Sequence, residues 1–169
     1  MGERFLLSVV MPVYNERASV AASIQRVRDV PLDIEIICVD DGSTDGTRDI
    51  LNQLKEDGII DQLILQPENR GKGAAVRTGI RAASRDVILI QDADLEYDPR
   101  DILQVVKPIV LGQSDVVFGS RYLNGRGSYG PLVHRLGNRF LTGLSNLLNN
   151  SELTDMETCY KAFKRRVLD

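Results

Sequence analysis

The sequence predicts an α/β fold: a mostly parallel sheet with helices on both faces. Apolar runs rich in Val, Ile and Leu alternate with segments of helical period, the pattern of repeated βα units. The runs are near-continuous in their hydrophobicity, as expected of strands covered on both sides. Polar residues collect just after the runs, where the carboxyl ends of parallel strands form a ligand crevice.

LLSVVMPVY (Leu6–Tyr14) reads as the first buried strand, and Arg17–Asp29 as a helix with Val20, Ile24 and Val27 on one face. IEIICVD (Ile34–Asp40) is the second strand, followed by a helix over Thr47–Lys55 with Ile50, Leu51 and Leu54 inward. LILQ (Leu63–Gln66) is a short third strand before a small-residue helix, Lys72–Ala83. VILIQ from Val87 is the fourth, and Asp98–Pro99 is a start signal for a helix carrying Ile102, Val105, Val106 and Ile109. DVVFGS (Asp115–Ser120) is the fifth strand, then a Gly-rich loop. A last helix places Leu136, Phe140, Leu144, Leu147 and Leu148 on one face and stops at Asn149–Asn150.

At 169 residues the chain is expected to form one domain with a substantial core. Its 43% apolar and 27% charged residues exclude a disordered or fibrous chain. A net charge of -3 argues against charge-driven nucleic-acid binding. Cys38 and Cys159 supply neither a disulfide framework nor metal-ligand spacing, and Cys38 reads as a small buried thiol. No apolar run is long enough to span a bilayer and the N-terminus lacks a signal-peptide pattern, so the chain is expected in the cytoplasm.

Five polar clusters each follow an expected strand: YNE (Tyr14–Glu16), DDGSTDG (Asp40–Gly46), NRGKG (Asn69–Gly73), DADLE (Asp92–Glu96) and SRY (Ser120–Tyr122). Carboxylates crowded at the end of a buried strand need a positive partner. Hard oxygen ligands with few other protein donors suit Mg²⁺ or Mn²⁺ shared with a substrate phosphate, which makes Asp92, Asp94 and Glu96 candidate ligands. DGSTDG is not a calcium loop: its twelfth position is Asn52 and a strand precedes it. Asp41 is placed to accept hydrogen bonds from a base or ribose, and Ser43 and Thr44 to start the next helix. NRGKG is neither a Walker loop nor a dinucleotide fingerprint, since no Ser or Thr follows Lys72 and Val76 stands at the third glycine position. A Gly-rich helix start carrying Arg70 and Lys72 still favours an anion. His134, the single histidine, is given no catalytic role.

With VVMPVYNE, VDDGSTDGT, NRGKGAAVRTG, QDADLEYDP, FGSRY and LTDMETCYKAFKR in hand, the chain resembles a family-2 glycosyltransferase. Within that family it is most similar to the dolichyl- or undecaprenyl-phosphate mannosyl- and glucosyltransferases. The resemblance implies the GT-A fold, a mostly parallel Rossmann-like sheet. It further implies that Pro12, Tyr14 and Glu16 frame the nucleotide base and ribose with Asp41 beside them, and that Lys72 and Asp92 contact the donor. Asp94 would hold the divalent cation, with Asp92 and Glu96 helping, and Arg121 and Arg135 would grip an acceptor phosphate. Asp155 stands where many relatives of that kind put a catalytic carboxylate.

The implied reaction is inverting transfer of a hexose from a UDP- or GDP-sugar to a polyprenyl phosphate, at the cytoplasmic face of a membrane. A saccharide or protein hydroxyl as acceptor, or a non-catalytic nucleotide-binding domain, are the alternatives. Relatives of that kind continue past the KAFKR segment, so the chain is expected to be a single catalytic domain shortened at its C-terminal side. Lys161, Lys164, Arg165 and Arg166 are expected on a basic helix face, solvated or turned toward anionic lipid.

Overall fold

The computed structural model describes residues 6–95, 97–120, 132–149, 153–155 and 158–168, with side chains given for 137–148 of the last helix. Among the described residues, six strands form one sheet: β1 (Leu6–Val13), β2 (Asp33–Asp40), β3 (Gln62–Leu65), β4 (Val87–Ile90), β5 (Val116–Phe118) and β6 (Lys161–Lys164). Five α-helices among the same residues connect or follow them: α1 (Val20–Arg28), α2 (Thr47–Glu56), α3 (Lys72–Ala82), α4 (Ile102–Val110) and α5 (Leu132–Asn149). The spatial order is β3-β2-β1-β4-β6-β5, with β1 to β4 parallel and β6 antiparallel to both its neighbours.

The alternation of β1 divides the core. Val9 and Met11 point to the face covered by Val20 and Ile24 of α1, Leu51 of α2, and Ile102 and Val106 of α4. Val10 points to the other face, where it joins Ile37, Val39 and Ile88 under Ala75 of α3. Only a helix of small residues fits so close: a Cβ on Gly79 would stand 2.3 Å from Val10 Cγ1. Burying both faces accounts for the unbroken apolar strands.

The chain runs outward from β1 to β2 and β3, then returns to β4 on the other side of β1. Such a reversal opens a crevice at the carboxyl ends of the strands on either side of it. Asp98 caps the turn entering α4, its carboxylate accepting the Arg100 N–H at 3.0 Å.

Two expectations are corrected. The basic segment is not a helix face: Lys161–Lys164 is strand β6, inserted between β4 and β5 with Ala162 fully buried. Its charges are taken up within the fold. Lys164 and Arg166 both pair with Asp115 at 2.7 Å, the Arg165 guanidinium donates to the Ala83 and Arg85 carbonyls, and Lys161 Nζ lies 5.5 Å from the Phe118 ring centroid. The first helix starts at Val20, not Arg17, because Arg17 and its neighbours are bound to another loop.

Helix α5 keeps its expected apolar face but turns it outward. Phe140 is 70% exposed, Leu147 81% and Leu148 74%, while Asn138 and Thr142 are buried. No helix among the described residues is long and apolar enough to cross a membrane.

Candidate functional site

The loop after β1 is zipped to the loop after β2 by side chains that each take a backbone N–H. Ser43 Oγ accepts from Asn15 N at 2.9 Å and Thr47 Oγ1 from Glu16 N at 3.0 Å. Asn15 Oδ1 in turn accepts from Thr44 N at 2.9 Å, with Asn15 in the left-handed region at φ 54°. Ser43 and Thr44 therefore do not start α2. Asp45 performs that service, accepting Thr47 N and Oγ1 at 3.0 and 2.5 Å, and these hydrogen bonds from Thr47 hold its carboxyl below the ordinary range. Glu16 is braced by the Ser19 hydroxyl at 2.5 Å.

The loop after β3 docks onto the same structure. Asp41 Oδ1 accepts the Arg70 N–H at 3.0 Å, and Asp41 N–H donates to the Val13 carbonyl at 2.8 Å. Gly42, at φ 83°, lies so close that a Cβ would sit 2.6 Å from Asn69 N. Lys72, the first residue of α3, then reaches across to β4: its Nζ lies 2.5 Å from Asp92 Oδ1 and 2.7 Å from Oδ2. Burial acts to lower the Lys72 pKa, but the hydrogen bond and charge of Asp92, with Asp94 behind it, raise it above the ordinary value.

The turn that carries Asp92 and Asp94 is anchored from below. Ala93 between them is buried in the core, and Ser23 Oγ of α1 donates to the Asp94 carbonyl at 3.1 Å. Cys159 Sγ accepts the Asp92 N–H at 2.8 Å, Tyr97 Oη accepts the Cys159 N–H at 2.9 Å, and the Tyr97 and Tyr160 rings pack at a 58° tilt with centroids 4.8 Å apart. Burial pushes the Cys159 thiol pKa up and the nearby Asp92 charge adds to it, so the sulfur is a neutral acceptor.

These loops enclose a cavity of about 290 Å³ at the carboxyl ends of β1, β2 and β4. Pro12, Tyr14, Glu16, Asp41, Lys72 and Asp92 all line it, and so does Asp94. Asp155 is not among the lining residues. It is 1% exposed, and its Oδ1 accepts from Asn138 Nδ2 of α5 at 2.8 Å, with Thr142 Oγ1 donating to Asn138 Oδ1 at 3.0 Å. Glu96 and Arg121 lie outside the described residues, as do the side chains of Arg135 and His134. Sequence reasoning set Asn69 at the crevice only as part of the NRGKG cluster, and it missed Cys159 and Tyr97, which fix the carboxylate turn. No spacing rule marks a lone Cys or Tyr sixty residues from its partner.

Among the described residues no three His, Cys, Asp or Glu side chains cluster tightly enough to hold a metal. Asp92 and Asp94 nevertheless fit a hard divalent cation that takes its remaining ligands from a diphosphate: both are oxygen donors at the cavity, and a cation, the Lys72 ammonium, already sits against Asp92.

The model of glycosyl transferase family 2 matches residues 8–169. The chain belongs to that family. This family-2 chain is 34% identical over 159 residues to an uncharacterized protein of Methanocaldococcus jannaschii, covering 92% of the chain and 63% of that protein. It is 30% identical to the UDP-N-acetylglucosamine–dolichyl-phosphate N-acetylglucosaminyltransferase of Methanococcus voltae, with 96% and 71% covered. In three dimensions it resembles glucosyl-3-phosphoglycerate synthase of Mycobacterium tuberculosis, solved with Mn²⁺, UDP and glucosyl-3-phosphoglycerate. There the TM-score is 0.71 at 24% identity, over 98% of this chain and 58% of that one. The fold is thus the GT-A fold expected from the sequence.

Proposed function

We propose that the chain forms one catalytic domain that transfers a hexose from a nucleoside-diphosphate sugar to a polyprenyl phosphate, with inversion at the anomeric carbon. The observation that carries this reading is the cavity over the β1/β4 reversal, where Pro12, Tyr14, Asp41, Lys72, Asp92 and Asp94 converge. The lipid acceptor is supported by the dolichyl-phosphate transferase relative and by the exposed apolar face of α5. That face, carrying Arg139 and no acidic residue from 132 to 149, suits an anionic membrane surface, here assigned to the cytoplasmic side.

In this reading Pro12 and Tyr14 flank the base, Asp41 and Glu16 meet the ribose, and Lys72 engages the diphosphate. Asp92 and Asp94, with Glu96, would hold Mg²⁺ or Mn²⁺, which would supply positive charge to offset that of a departing nucleoside diphosphate. Arg121 and Arg135 orient the acceptor phosphate. Its oxygen is already anionic at neutral pH, so no strong base is required. Asp155, buried against Asn138, then fixes α5 under the acceptor side instead of taking a proton.

Calorimetric titration with UDP and with GDP, each with Mn²⁺ and with chelator, tests the donor site. Binding is expected to require metal, to prefer one base, and to weaken at least about tenfold in Asp94→Ala. Full-strength, metal-independent binding in that variant would sink the reading.

A further inference from the structure

The Lys72–Asp92 contact poses a conflict within the proposed donor site. The ammonium lies 2.5 and 2.7 Å from the two oxygens of Asp92, so both are engaged by it. A divalent cation ligated by Asp92 would meet a like charge a few ångströms away, at the distance where repulsion is strongest. Metal binding to this surface alone is therefore opposed by a resident cation.

Lys72 is the partner able to move. Its side chain is 59% exposed against 22% for Asp92, and the Asp92 backbone is held through its N–H to Cys159 while the ammonium sits on a flexible four-carbon stem. Gly71 before it, at φ 86°, has nothing within 4 Å of where a Cβ would be. Gly71, Lys72 and Ala75 all line the cavity, so the start of α3, the positive end of the helix dipole, opens onto the same space as Asp92. A diphosphate entering there meets the helix terminus and comes within reach of the ammonium.

Resting on the donor-site reading, we propose that Lys72 is an exchangeable counter-cation. It holds Asp92 until a nucleoside diphosphate draws its ammonium away, so that divalent metal and donor bind together and not independently. The exchange conserves charge locally: the diphosphate replaces Asp92 as the partner of Lys72, and the metal replaces Lys72 as the partner of Asp92. The linkage is reciprocal, each ligand tightening the other by the same factor.

The test measures metal binding, not turnover. Mn²⁺ is titrated into wild type, Lys72→Met and Lys72→Arg, with free Mn²⁺ read by its electron paramagnetic resonance signal, alone and with saturating UDP or GDP. Near-UV circular dichroism checks the fold of each. In wild type, nucleotide is expected to tighten Mn²⁺ about tenfold or more. Lys72→Met should bind Mn²⁺ alone about five- to tenfold more tightly than wild type, and nucleotide should then tighten Mn²⁺ by a smaller factor than in wild type, an expectation drawn from removing one adjacent like charge. Lys72→Arg, which keeps the charge, should stay close to wild type without nucleotide.

Unchanged or weaker Mn²⁺ affinity in Lys72→Met, or the same gain in Lys72→Arg, overturns the exchange while leaving the donor site standing. So does nucleotide binding to wild type without any effect on Mn²⁺. If folded wild type binds neither Mn²⁺ nor nucleotide, the donor-site reading falls and the exchange falls with it.

Discussion

The Tyr97 hydroxyl and the Cys159 thiol act in series: one accepts the N–H of Cys159 at 2.9 Å, the other the N–H of Asp92 at 2.8 Å. Two hydrogen bonds thus set the backbone from which the cavity carboxylates project. Tyr97→Phe removes the first acceptor and keeps the ring packed against Tyr160, leaving a backbone donor without its partner. The expected cost is about 1–3 kcal/mol, seen as a melting point lowered by a few degrees. Mn²⁺ affinity in the presence of nucleotide should fall about tenfold, as for other residues that orient a ligand. A loss of stability with unchanged Mn²⁺ affinity would reduce Tyr97 to a packing role. The carboxylates themselves are legible in the sequence because charge at the end of a buried strand needs a physical reason. Tyr97 and Cys159 are not, since their meaning depends on a contact about sixty residues away in the chain.

At the scale of elements, the site is four loops pressed together, and Gly42 is where those after β2 and β3 touch. A Cβ there would meet the Asn69 N and the Glu68 carbonyl carbon at 2.6 and 2.7 Å, both backbone atoms that cannot rotate away. The left-handed φ of 83° adds strain for any other residue. Gly42→Ala should displace the segment leading to Lys72, costing about 1–3 kcal/mol of stability and weakening nucleotide binding; equal nucleotide affinity in the two proteins would contradict this. Helix α5 makes a parallel case. Among its described side chains the buried ones are Asn138 and Thr142, not leucine, because it closes over Asp155. Asn138→Ala removes a donor from a buried carboxylate, with an expected loss of about 1–3 kcal/mol in a denaturant midpoint measurement. The sequence identifies α5 as amphipathic but not which face looks inward, since hydrophobicity alone assigns the apolar side to the core. Strand β6 escapes for a related reason: KAFK is four residues long with lysines at both ends, and only its place between β4 and β5 makes it a strand.

Across the whole molecule, a parallel sheet has two unlike rims. The carboxyl-end rim gathers Asp41, Asp92 and Asp94 around a cavity, while the opposite end is tied by one buried carboxylate, Glu35 of β2. Its oxygens accept from Ser8 Oγ of β1 at 2.5 Å, Gln62 Nε2 of β3 at 2.9 Å, and Ser84 N and Oγ at 2.9 and 2.8 Å on the way into β4. Burial by itself would raise the Glu35 pKa. The hydrogen bonds from Ser8, Ser84 and Gln62 outweigh it, and the pKa is lowered from 4.5. The unfolded chain therefore binds this proton at higher pH than the folded one. The stabilisation from Glu35 is complete above 4.5 and is lost as pH falls from there through the lowered folded value. Glu35→Gln keeps the shape but sets amide hydrogens against the serine donors, so it should be about 1–3 kcal/mol less stable than wild type at pH 7. Urea unfolding from pH 7 down to pH 3 should show that gap narrowing only below about 4.5, the ordinary carboxylate value, where the unfolded chain begins to protonate. A gap that stays constant over the whole range would mean that Glu35 ties the four segments by shape alone and that its charge contributes nothing.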